Sequence, residues 1–156
     1  MPAVVVNSGP KKVSRTVEVN APSGVLFDIV ADPFRHGELD GSDTVRDTVS
    51  GPHRLAKGVK FSVKMKQHGV GYRITSRVTE FEEGRMVEWR HPMGHRWRWE
   101  LTPSSEGVTQ VTETFDYSQV SAAKARVLEL FGTENQNATG IEMTLNKLEE
   151  QYAKPA

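Results

Sequence analysis

Apolar and polar positions alternate through most of the first two thirds of the chain. Residues 13 to 19 set Val13, Arg15, Val17 and Val19 against Ser14, Thr16 and Glu18, the period-two pattern of a strand. Asn20-Ala21-Pro22-Ser23 then predicts a helix start, with Pro22 in the first turn and Asn20 or Ser23 as the cap. Val25, Leu26, Ile29 and Val30 give that helix one apolar face. Asp32-Pro33 ends it, because the residue before proline avoids the α region. Phe34 to Leu39 reads as another short helical turn, and residues 43 to 49 as a short strand.

Strand patterns follow in quick succession. Phe61, Val63, Met65 and Gln67 alternate with Ser62, Lys64 and Lys66, and Gly69 and Gly71 mark the turn into Tyr72, Ile74, Ser76 and Val78. Val87, Trp89 and His91 alternate with Glu88 and Arg90; Pro92-Met93-Gly94 turns the chain. His95, Trp97, Trp99 and Leu101 then alternate with Arg96, Arg98 and Glu100, and a last strand is expected from Val108 to Tyr117. Short turns between consecutive strands imply an antiparallel meander.

After residue 120 the period changes. Ser121 is placed to cap a short helix carrying Val127, Leu130 and Phe131, which Gly132 ends. Thr133 with Gln136 matches a capping box. Ile141, Leu145, Leu148 and Tyr152 then recur at helical spacing over about 19 residues, near 30 Å at 1.5 Å per residue. The predicted order is a strand, two short helices, about six more strands and a long helix. The long helix must bury its apolar stripe, and the covered face of the sheet is the large partner available to it. The expected fold is therefore α+β. A curved antiparallel sheet of about seven strands grips the C-terminal helix, with two short helices after the first strand and an internal cavity where sheet and helix diverge.

Over Val13 to Tyr152 the chain resembles the START-like superfamily, also called SRPBCC or the polyketide cyclase/dehydrase and lipid-transport group. The resemblance rests on Val19-Asn20-Ala21-Pro22 with Val25-Leu26-Phe27 and Ala31-Asp32-Pro33, on Trp97-Arg98-Trp99-Glu100-Leu101, on Val111 to Tyr117, and on Thr144-Leu145 with Leu148. These motifs build the fold more than they carry chemistry. The resemblance implies a cavity for a lipid, polyketide, hormone-like or other apolar ligand. Its members include enzymes, carriers and proteins that dock on other proteins.

Composition narrows the classes. At 156 residues the chain is one domain, long enough to bury roughly 70% of its unfolded surface without staples. Residues 1–12 are expected as a flexible tail and 13–153 as the helix-grip domain. There is no cysteine, which removes disulfides, thiolate nucleophiles and cysteine metal sites and suits a reducing cytoplasm. Twenty basic and twenty acidic residues cancel, so no global attraction to nucleic acid or anionic lipid is expected, although a local patch remains open. No segment approaches the ~18 apolar residues of a membrane span, so no stable membrane insertion is expected. The apolar run Ala3 to Val6 is short and precedes Lys11 and Lys12, the reverse of a signal peptide. A cytoplasmic location follows as the expectation, and a homodimer stays open.

The ligand-binding candidates are Phe61, Val63, Met65, Tyr72, Ile74, Trp89, His91, His95, Trp97, Trp99, Phe115, Ile141 and Leu145. Core packing is the bland reading of the aromatics among them. Cavity lining gains weight from His91 and His95, which continue the tryptophan phases. The catalytic candidates are His91, His95, Glu113 and Tyr72. Imidazole titrates near neutral pH, and a carboxylate inside an apolar cavity acts as an acid. For Glu113 the favoured expectation is a solvent-facing side chain or a pair with Arg96 or Arg98. The two histidines beside one turn lack a third ligand, so no metal and no cofactor are expected. Arg90, Arg96 and Arg98 fall on the face opposite the tryptophans, so they form no stacking platform for nucleic acid. The function read from this pattern is binding of a hydrophobic small molecule, lipid or polyketide-like. A cyclase/aromatase-like enzyme using His, Glu and Tyr as acid/base is the alternative, and a protein-interaction module the third reading.

Overall fold

The computed structural model describes residues 3–7, 9–39, 45–67, 69–130 and 132–153. Eight antiparallel strands run through them: β1 (Val4–Val6), β2 (Lys12–Val19), β3 (Val45–Ser50), β4 (Lys60–Gln67), β5 (Val70–Glu82), β6 (Met86–Arg90), β7 (Arg96–Ser105) and β8 (Val108–Asp116). They form one curved sheet in the order β1-β2-β8-β7-β6-β5-β4-β3. From β3 onward every strand pairs with the next, and β8 closes back on β2. Between β2 and β3 the chain crosses from one side of the sheet to the other through α1 (Ser23–Val30), a 3₁₀ turn (Pro33–Arg35) and α2 (His36–Leu39). The helices α3 (Ala122–Leu130) and α4 (Thr133–Gln151) follow the last strand.

The alternation in the sequence becomes two faces. Val13, Val17 and Val19 of β2, Val111 and Phe115 of β8, Trp99 and Leu101 of β7, Val87 of β6 and Phe61 of β4 are all buried on the inner, concave face. The long helix α4 packs over β2 and β8 and reaches α2. It brings Ile141, Leu145 and Leu148 into the same core. Each such side chain contributes about 1.5–3 kcal/mol by leaving water. Polar ties fix the helix at the sheet edge. Arg15 Nε donates to Glu142 at 2.8 Å, and the Ala3 N–H donates to Asn146 Oδ1 at 2.8 Å.

Several local expectations are corrected. The stretch 1–12 contributes an eighth strand: β1 pairs with Ser14, Arg15 and Thr16, because β2 would otherwise present an open hydrogen-bonding edge. At α1 the cap is Pro22, with no side-chain hydrogen bond, so neither Asn20 nor Ser23 serves. At α4 the N-cap is Gly132 in the left-handed region (φ 67°), so Thr133 is already helical and not the cap, and its side chain lies outside the described part. Asp32 holds the 3₁₀ turn by accepting from the Phe34 N–H at 3.0 Å. Ser121 caps α3 through the Lys124 N–H at 3.3 Å, and α4 has the expected 19 residues.

Candidate functional site

The strand register lines up the aromatic residues on the inner face. Trp89 of β6 sits opposite Trp97 of β7, which sits opposite Phe115 of β8. The ring centroids of Trp97 and Phe115 are 5.0 Å apart, and those of Phe115 and Tyr117 are 5.6 Å apart. Toward β4, the Trp89 and Phe61 rings meet edge to face at 5.5 Å. Such tilted and edge-to-face pairs match ring quadrupoles. A register shift in β5 between Val78 and Glu80 lets Phe81 face inward as well, where its ring meets Phe27 of α1 at 5.5 Å.

His91 and His95 flank the β6–β7 turn and stack with centroids 4.2 Å apart. Their backbones pair, the His91 N–H donating to the His95 carbonyl at 2.8 Å. The Met93 N–H donates to His91 Nδ1 at 3.0 Å, which leaves the ring proton of neutral His91 on Nε2. His95 is buried and its ring lies 5.0 Å from that of Phe115. Burial lowers its imidazole to about 4, and the neighbouring His91 adds to the shift. Burial also holds His91 below the usual histidine range. At neutral pH the pair is two uncharged imidazoles, each able to donate and accept a proton.

A third histidine was not among the sequence candidates. His36, at the start of α2, is buried and donates from Nε2 to the Val30 carbonyl at 2.8 Å. Its ring stacks on Trp89 at 5.1 Å and meets Phe61 edge-on at 5.7 Å. Burial lowers its affinity for a proton, outweighing the carbonyl and Asp32, which favour the charged form. The signal was present in the sequence: Pro33, His36 and Leu39 recur every three residues, and all three are buried.

Glu113 corrects an expectation. Its β8 phase faces inward with Val111 and Phe115; the residue is 8% exposed and lies opposite Arg15 of β2 and Trp99 of β7. The carboxylate that pairs with the two arginines is Glu88, buried on the outer face. It accepts from Arg98 Nε at 2.8 Å, Arg96 Nη1 at 3.1 Å and the Thr79 hydroxyl at 2.8 Å. The arginines and tryptophans do lie on opposite faces.

Of the remaining candidates, Val63 is buried, Ile74 is half-buried, and Ile141 and Leu145 are buried on α4. Tyr72, near the β4–β5 turn, is 37% exposed and stands apart from the histidines. Met65 pairs with Tyr72 through its backbone, and its side chain lies outside the described part. Among the described residues no group of three or more His, Asp or Glu is placed to hold a metal ion.

A family model described as polyketide cyclase / dehydrase and lipid transport matches residues 10–152. The chain belongs to this family. It is 54% identical over 156 residues to the uncharacterized protein Rv0088 of Mycobacterium tuberculosis, covering 99% of this chain and 70% of that protein. Among solved structures it is similar to protein Ms6760 of Mycobacterium smegmatis, with a TM-score of 0.73, 18% identity and 96% and 97% of the two chains covered. The Zhui aromatase/cyclase of Streptomyces sp. R1128 matches with a TM-score of 0.64 and 17% identity over 91% of this chain and 95% of that one. At these identities the two structures show a shared helix-grip fold. Membership in the polyketide cyclase / dehydrase and lipid transport family supports a ligand-binding or cyclase-like role. Among the described residues no helix is long and apolar enough to cross a membrane.

Proposed function

We propose that the chain binds a hydrophobic small molecule, lipid or polyketide-like, between the concave face of the sheet and α4. The observation that carries this reading is the run of rings on that face. It leads from Phe61 and His36 through Trp89, Trp97 and Phe115 to His95 and His91. An apolar wall with a few placed polar groups is the usual form of a small-molecule site. Burial of apolar ligand surface supplies the affinity at about 25 cal/mol per Å². The neutral imidazoles add directional hydrogen bonds without the cost of desolvating an ion.

A second reading, a cyclase-like enzyme, is favoured by one specific observation. Glu113 and His95 are both buried on the inner face, on either side of Phe115. A carboxyl and a neutral imidazole on the same apolar wall suit proton transfer to and from a folded polyketide chain. In that reading Tyr72, exposed and distant from the pair, takes no part.

All three tryptophans of the chain, Trp89, Trp97 and Trp99, occupy inner-face positions of β6 and β7. Titration with long-chain fatty acids and with fused-ring aromatic compounds should therefore change tryptophan fluorescence saturably for at least one class. The response should weaken in Trp97→Phe. If neither class gives a saturable change, the binding reading fails.

A further inference from the structure

The net charge of zero hides a strong segregation. From Thr48 to Thr79 the chain has seven Lys and Arg residues and no Asp or Glu. Arg54 and Lys57 pair with acids elsewhere, Asp28, Glu83 and Glu80. Lys60, Lys64, Arg73 and Arg77 gather on the outer face of β4 and β5. The register sets Lys60 opposite Arg77 and Lys64 opposite Arg73, and Arg77 in turn lies opposite Arg90 of β6. All five are exposed, while their strand neighbours Phe61, Val63, Ser76 and Val78 are buried on the other face. Between the two β4–β5 pairs, the Ser62 and Thr75 hydroxyls bond to each other at 2.7 Å. Ion pairs among the described residues go to Arg96 and Arg98 further along the sheet, and not to these five.

Like charges directly opposite each other destabilise a sheet. Three such contacts side by side, with no acid in the chain from Lys60 to Thr79, mark a surface kept for an anionic partner. We propose that the outer face of β4, β5 and the end of β6 docks on an anionic membrane surface. Two features favour lipid over nucleic acid. No aromatic side chain interleaves with these cations, so nothing there stacks on bases. At the tip of the same β4–β5 ribbon Val70 (64%) and Tyr72 (37%) are also exposed, on the strand phase opposite the cations, apolar groups suited to the interfacial zone beneath phosphate headgroups when the ribbon tip enters it. Cations beside an exposed apolar tip are the usual pairing in peripheral membrane binding. Docking needs no occupied cavity, so it stands or falls independently of the ligand.

The test is co-sedimentation of the full chain with vesicles of phosphatidylcholine containing phosphatidylserine, against phosphatidylcholine alone. The protein should partition onto the anionic vesicles and be released by high salt. The double variant Lys64→Glu with Arg73→Glu should lower partitioning by at least about 25-fold, at about fivefold per charge. Lys60→Glu with Arg77→Glu should do the same, and Lys124→Glu on α3 should change little. Thermal melts monitored by circular dichroism identify the variants that remain folded. Equal binding to both vesicle types, no binding to either, or tighter binding to a duplex oligonucleotide than to the anionic vesicles would overturn the proposal.

Discussion

His95 sits in a setting that opposes its charge. Buried beside Phe115 and stacked on His91, it titrates at about 4 in the folded chain, against about 6.5 unfolded. Between those values the unfolded state binds more protons, so stability rises with pH across the window. The contribution is complete above about pH 6.5 and is lost as pH falls toward about 4, by roughly 3 kcal/mol. His36 and His91, both lowered by burial, act in the same direction. Urea unfolding at pH 7.5 and at pH 5 should show the wild type losing stability, and His95→Gln losing distinctly less. Equal losses in the two proteins would mean that His95 takes up its proton without unfolding the chain. The pairing of His91 with His95 was legible in the sequence, because alternation on both sides of one tight turn puts them opposite each other. The direction of Glu113 was not. Residues 108 to 117 carry polar groups in both phases, so the alternation alone does not say which face is covered. Glu88 was equally hidden: it is a buried carboxylate on a face that reads as solvent-exposed, and the Arg96 and Arg98 side chains cover it.

At the level of elements, the connection from β3 to β4 turns on Gly51. Its φ is +138°, and a Cβ placed there would lie 2.7 Å from Cβ of Phe61. Gly58, further along the same connection, has φ +87° with open space around it. The conformation alone costs a non-glycine residue about 1–3 kcal/mol. Gly51→Ala should exceed that range, because Phe61, packed against His36 and Trp89, must also shift, whereas Gly58→Ala should stay within it. Chemical denaturation of the two variants measures the difference. Similar small losses would show that the Phe61 corner yields easily. Apart from β8, strand phases came through in the sequence, as did the length of α4, because each rests on many repeated positions. The corrections cluster at single-residue boundaries: Pro22 in place of Asn20 or Ser23, Gly132 in place of Thr133, and three valines that pair as an edge strand. Local preference is weakest at such boundaries, and tertiary contacts decide.

For the molecule as a whole, the helix-grip arrangement follows from two constraints. An antiparallel meander has one apolar face, and the 19-residue helix has one apolar stripe. Each is the other's partner, which is why the fold was readable before any coordinates. Function was less readable, because the residues that build this fold also line its inner face. Trp97, Phe115 and Leu145 would be apolar with or without a ligand. The three-residue spacing of Pro33, His36 and Leu39 marks a covered face, but what covers His36 is Phe61 and Trp89, far away in the sequence and adjacent only after folding. The outer cations, conversely, vanish in a net charge of zero and emerge only when β4 and β5 are laid side by side. The proposed occupant of the inner face is an apolar molecule. Native mass spectrometry of the protein purified from its own host, followed by extraction of what is bound, tests this most directly. A stoichiometric adduct is expected, its extract a lipid or polyketide-like compound. A clean unliganded mass in repeated preparations would contradict it.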